Sequence, residues 1–144
     1  MPMSLPRHVL LCCALLLAGC ASTARPAPTL YEELGGQAGL EALVETLLSH
    51  VADDPRINQM FARVNIVMLN QHLNEKLCQV SDGPCDYQGK AMGPAHAHLP
   101  IGQGEFNALV EDLMWAMDQQ KIPRTTQNRL IKRLAPMQGE IVNQ

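Results

Sequence analysis

The chain has 144 residues, with 11 Lys and Arg against 14 Asp and Glu and a formal net charge of −3 at neutral pH. That length holds at most one domain with a modest core. A mildly acidic balance without any basic run excludes a nucleic-acid-binding surface.

Residues 1–19 read as a secretory signal. Arg7 and His8 give a short basic start, and Val9 to Leu17 form an apolar run too short to span a bilayer as a helix. Leu17-Ala18-Gly19-Cys20 resembles the lipobox of bacterial lipoproteins, which implies cleavage before Cys20 and acylation of its thiol and new amino group. Each acyl CH₂ adds roughly 0.8 kcal/mol of membrane affinity, so several chains make a stable lipid anchor. The alternatives are an ordinary secretory signal or an uncleaved anchor, with Cys20 a free thiol. Ala21 and Ser22 follow the cysteine with no Asp, so by analogy with that class the outer membrane, facing the periplasm, is the expected address. Residues 20–28 then form a small, polar, proline-bearing tether, and residues 29–144 form the folded domain.

Cys12 and Cys13 leave with the signal, so Cys78 and Cys85 are the thiols that remain beside Cys20. In an oxidising compartment, seven residues apart across Ser81-Asp82-Gly83-Pro84, they are expected to pair. Such a bridge is worth about 2.5 kcal/mol by loop-closure entropy. The alternative is two buried free thiols. No paired-cysteine zinc spacing is present.

The hydrophobic rhythm of the domain is helical throughout. Thr29 caps a short turn through Tyr31 and Glu32 that stops at Gly35-Gly36. A helix from about Gln37 to His50 carries Leu40, Leu43, Val44, Leu47, Leu48 and Val51 on one face. Asp53-Asp54-Pro55 ends it and opens a segment with Ile57, Met60 and Phe61. Asn65 caps the next helix, whose stripe is Ile66, Leu69, Leu73, Leu77 and Val80, with His72 and Lys76 flanking it. From Lys90 to Leu99, Gly93 and Pro94 argue against a long regular helix. Helix returns from about Gly104 to Gln120, with Phe106, Leu109, Val110, Leu113, Met114 and Met117 on a stripe. A last helix from Pro123 carries Leu130, Ile131, Leu134, Met137, Ile141 and Val142 to the C-terminus, kinked at Pro136. The fold class is all-α, two helix pairs with a loop-rich segment between them.

Several residues along this layout resemble the group 1 truncated haemoglobins. They are Leu30-Tyr31-Glu32-Glu33-Leu34-Gly35-Gly36, Ala52-Asp53-Asp54-Pro55-Arg56, the aromatic Phe61, Gly83-Pro84, Tyr87-x-Gly89 and Met92-x-x-Ala95-His96, with Ile101 five residues on. The resemblance spans about Leu30 to Val142 and implies a two-over-two helical sandwich around a non-covalent haem b. His96 is then the proximal iron ligand, its other ring nitrogen tied to the Met92 carbonyl. His98, two residues on, would point elsewhere on a helix and is a surface or haem-edge residue. Phe61, Leu69, Leu73, Lys76, Leu77, Met92, Phe106, Leu109, Leu113 and Met117 are the candidate cofactor contacts. His50, at a helix C-terminus, matches no pocket position, and Trp115 is expected to pack.

On the distal side the chain departs from its relatives. Many carry a tyrosine and a glutamine that hydrogen-bond iron-bound oxygen, where Leu48 and Leu73 stand here. His72 falls where some relatives place a second iron ligand; the other readings are a haem-edge residue paired to a propionate with Lys76, or a solvated side chain. The leading expectation is a haem protein that reversibly binds a diatomic gas, nitric oxide or carbon monoxide better than oxygen. The alternatives are a haem redox protein served by a reductase, turning over nitric oxide or peroxide or carrying electrons through bis-histidine iron, and a haem-less structural lipoprotein. A monomer is expected.

Overall fold

The computed structural model describes residues 26–143. The signal-like segment 1–19, Cys20 and residues 21–25 of the tether lie outside the described residues. Pro26 to Thr29 are exposed and without regular structure.

Helix α1 (Leu30–Glu33) starts in a reciprocal cap: the Thr29 hydroxyl accepts the Glu32 N–H at 3.2 Å, and the Glu32 carboxylate accepts the Thr29 N–H at 2.7 Å. The Tyr31 N–H donates to the Ser81 carbonyl at 2.8 Å, tying this turn to the far end of another helix. Gly35 then sits at φ 91 and Gly36 at φ 64, a left-handed pair that reverses the chain into helix α2 (Gly36–Asp53). Helix α2 runs past the expected His50 because its stop signal is Pro55. A residue before proline is driven out of the helical region, and Asp54 is extended at φ −86, ψ 106. A 3₁₀ turn, Asn58–Phe61, leads to helix α3 (Ile66–Val80), where the Asn65 side chain accepts the N–H groups of Val67 and Met68, both at 3.1 Å.

Cys78 and Cys85 are joined by a disulfide with a Cα–Cα distance of 5.8 Å. Between them Gly83 is packed so closely that a Cβ would lie 2.5 Å from Cys78 Sγ and 2.6 Å from the Tyr31 ring, which is why glycine stands there. Helix α4 (Met92–His96) is one short turn, and helix α5 (Gln103–Gln119) follows. Helix α6 covers Arg124–Leu134. The last helix does not continue through a kink, as expected. It ends at Leu134 in a 3₁₀ turn, Ala135–Met137, followed by the single turn α7 (Gln138–Ile141). Pro136 has no N–H to donate into a continuing ladder, so the chain tightens and restarts.

Helix α2 is the centre. Leu40, Leu43, Val44, Leu47 and Val51 are all buried, and α3 and α5 pack against it; α6 closes the core against α1, α3 and α5 through Leu130. Helix α4 packs instead on α7, off the main pairs. This is the two-over-two arrangement that the resemblance implies. Both outer stripes are covered at one end only. On α3 Leu77 is buried, Leu69 and Leu73 are half-covered, and Ile66, Val67 and Met68 are 51, 74 and 53% exposed. On α5 Leu113 and Met117 are buried, Phe106 is half-covered and Leu109 exposed. Arg56, in the turn between α2 and α3, pairs with Glu111 of α5 at 2.5 Å. Both α3 and α5 thus leave part of an apolar stripe open.

Candidate functional site

Helix α4 exists to present one imidazole. Pro94 is tolerated because the first helical turn has no partner for its N–H groups, and the Ala95 N–H bonds the Ala91 carbonyl at 2.9 Å. The last residue, His96, places Nδ1 2.7 Å from the Met92 carbonyl oxygen. A carbonyl only accepts, so Nδ1 carries the proton and the neutral ring keeps its lone pair on Nε2. His96 is half-buried, a metal-ready nitrogen at the edge of the protein. The helix ends there, so His98 is not directed by helical geometry as expected. Ala97 leaves the helix at ψ 136, and His98 takes a left-handed φ of 67 with its side chain exposed.

Of the candidate contacts, Leu48, Phe61, Leu69, Leu73, Met92 and Phe106 are half-covered apolar side chains, and Leu109 is 36% exposed. Leu77, Leu113 and Met117 are different. They are 4, 6 and 0% exposed, so Met117 is wholly enclosed by protein atoms and belongs to the core behind the site rather than to its wall. A cleft of about 320 Å³ between α2 and α3 is lined by Glu45, Leu48, Ile66, Val67 and Asn70. A more polar one of about 360 Å³ is lined by Gln37, Glu41, Asn70, Gln71, Asn74, Glu75 and Cys85. Neither includes His96.

His72 has protein partners. Its Nδ1 lies 3.2 Å from Glu75 Oε2, and its ring meets Tyr87 edge-on at 5.9 Å. Lys76, expected at the cofactor edge, has its ammonium 3.7 Å over the Tyr87 ring and donates to Gln79 at 3.0 Å. Burial pulls that ammonium below its ordinary range, and Glu140 opposes this. Glu75, Tyr87 and Gln88 are absent from the sequence-derived site. The i, i+3 spacing of His72 and Glu75 was the available signal.

A family model described as bacterial-like globin matches residues 29–143. The group 1 truncated hemoglobin of Nostoc commune is 31% identical over 115 residues, 80% of this chain and 98% of that one. The group 1 truncated hemoglobin of Tetrahymena thermophila is 33% identical over 89 residues, 62% and 74% of the two chains. Among solved structures, the Fe(III) truncated hemoglobin of Tetrahymena pyriformis superposes with a TM-score of 0.79 at 23% identity, over 81% of this chain and all of that one. At that identity the structural match speaks to the fold.

A second cluster lies on the far side of α5, and the sequence reading missed it. The His50 and Trp115 rings stack at 3.8 Å, 9° from parallel. Below them Asp112, 2% exposed, has Oδ1 3.6 Å from His50 and 3.5 Å from Arg56, while its Oδ2 has no partner. The signal was a second stripe, Ala108, Asp112 and Ala116, all buried where α5 meets α2. Arg56 commits itself to Asp54, at 2.9 Å through Nε and 2.7 Å through Nη2. That bond holds the Asp54 carboxyl below its ordinary range, whereas burial, then the Asp54 charge, pushes the Asp112 carboxyl up. Folded Asp112 thus binds its proton more tightly than unfolded Asp112, so its contribution to stability falls as pH rises above the ordinary value of 3.8 toward the raised one. Asp112→Asn should therefore gain stability relative to the parent as pH rises from acid to neutral. Urea midpoints at several pH values check this, and a constant gap between the two proteins counts against it.

Proposed function

This chain belongs to the bacterial-like globin family, and from that premise we propose that it is a truncated haemoglobin that holds haem b non-covalently and reversibly binds a diatomic gas. The observation that carries the reading is His96: Nδ1 is committed to the Met92 carbonyl at 2.7 Å, which leaves Nε2 as the nitrogen that could ligate iron. When bound, the haem supplies the iron at which the gas is held. The residues present fit such a group. Leu48, Phe61, Leu69, Leu73, Phe106 and Leu109 are apolar and incompletely covered by the rest of the protein, and a flat apolar macrocycle is the kind of body that would remove them from water. Burying such side chains contributes roughly 25 cal/mol for each Å² removed.

His96→Gly should abolish stoichiometric haem uptake, and added imidazole should restore it. Absorbance titration with hemin reads both, and an unchanged haem spectrum in the variant would sink the assignment.

The chain's own side chains also set which gas is favoured. Leu48 and Leu73 offer no donor to a bound ligand, so the polar hold that oxygen gains from a hydrogen bond is missing, while nitric oxide and carbon monoxide depend on it less. Leu48→Tyr should slow oxygen dissociation roughly fivefold to tenfold. Flash photolysis measures that rate, and equal rates would show that position 48 does not face the ligand.

We also propose that the domain is held by acyl chains on Cys20 at a periplasm-facing membrane. Two features support this: the lipobox-like Leu17-Ala18-Gly19-Cys20, and the Cys78–Cys85 disulfide, a bond that persists in oxidising compartments. Among the described residues no helix is long and apolar enough to cross a membrane. Labelled palmitate should enter the parent chain and not Cys20→Ala; a parent chain that takes no label rules the anchor out.

A further inference from the structure

We propose that Glu75 is a positioning residue that holds His72 off the haem pocket, and that the Cys78–Cys85 disulfide secures this hold through the segment bearing Tyr87 and Gln88. The proposal rests on the haem-binding reading above.

Successive residues of α3 turn by about 100°, so Leu73 lies on one side of His72 and Glu75 about 60° round on the other. Leu69 lies on the Leu73 side, the face left half-covered. A bond from His72 to Glu75 therefore draws the imidazole away from that face. The hold is itself braced. Glu75 Oε2 accepts the backbone N–H of Gln88 at 3.0 Å as well as His72 Nδ1, and Glu75 Oε1 accepts the Gln71 amide at 2.8 Å. These bonds, that of Gln88 first, keep the Glu75 carboxyl below its ordinary range. An ionised carboxylate only accepts, so His72 Nδ1 is the donor. His72 is thus aimed away from the half-covered face, and ligation needs a side-chain rotation that breaks this bond.

Gln88 and Tyr87 lie in a stretch without helix between α3 and α4, and the Cys85 end of that stretch is fastened to Cys78 of α3. Tyr87 adds an edge-on contact to His72 and donates its hydroxyl proton to the Lys90 carbonyl at 2.8 Å. Nothing on α3 alone would bring the Gln88 N–H to Glu75. The disulfide and the helix face together decide where the imidazole rests, and so whether the site stays open to a gas.

The test uses the haem-loaded full chain in its deoxygenated ferrous state, comparing the parent, Glu75→Gln and the double variant Cys78→Ser/Cys85→Ser, each with and without His72→Leu. Optical spectra separate five-coordinate from six-coordinate iron. The parent should be mainly five-coordinate. Both variants should raise the ratio of six- to five-coordinate forms roughly threefold to tenfold, the change expected for one lost charge-assisted hydrogen bond near the surface. Adding His72→Leu should abolish the rise, and Glu75→Asp should restore part of the parent spectrum. A parent already fully six-coordinate, or a Glu75→Gln spectrum equal to a five-coordinate parent, overturns the proposal while leaving the haem assignment intact. Failure of the parent to take up haem overturns the functional reading itself.

Discussion

The structure depends on one allocation of apolar surface. One face of helix α2 is buried along its length and uses the inner faces of α3 and α5 to achieve it. A domain of this size has a limited apolar complement, and beyond Leu77, Leu113 and Met117 the remaining halves of the same two stripes are only partly covered by protein. Helix α4, the segment nearest in sequence that could cover them, is a single turn packed on α7. The fold is thus complete as a helix sandwich and leaves part of two apolar stripes open, which the proposed haem would cover.

The two imidazoles proposed to bear on such a cofactor both commit Nδ1 as a donor, for different reasons. His96 is tied to a backbone carbonyl of its own helical turn, which cannot swing away without unwinding α4. His72 is tied to a side chain, Glu75, whose position depends on a segment outside the helix. A backbone acceptor gives a fixed ligand, and a side-chain acceptor gives an adjustable one. In the proposed haem site, that contrast would separate a permanent iron ligand from a conditional one on grounds of anchoring.

The helices were legible because their apolar residues recur at helical spacing and their ends carry strong chemistry, as at Thr29, Asn65 and Pro55. The His96–Met92 pair was legible because i, i+4 geometry is local. What escaped is non-local. Asp112 reads as an ordinary polar residue until α5 is laid on α2, where the small Ala108 and Ala116 let it sink beneath the His50–Trp115 stack. The Lys76–Tyr87 contact is non-local too, because it needs the segment after the disulfide to fold back on α3. Met117 shares a stripe with Phe106, but periodicity cannot say at which residue along a helix protein cover gives way to an open face. The break at Leu134 was misjudged because a proline kink and a proline stop have the same sequence and differ only in what the following turn packs against.

In the proposed haem site, distal polarity and distal access would be separate controls. Leu48 and Leu73 would supply no fixed donor, so the pocket would be indifferent to the polarity of its ligand. His72 restores a single polar group, but one whose nitrogen competes with the gas for iron instead of stabilising it. With the imidazole held by Glu75, the site offers an open apolar face, and affinity is set by the iron and by His96 behind it. With the imidazole released, affinity for any gas falls by the factor that His72 ligation imposes, because only the open fraction of molecules can bind. A leucine-lined pocket cannot discriminate strongly by hydrogen bonding, so occupancy of the Glu75–His72 bond becomes the main quantity through which the protein portion of this molecule governs gas binding.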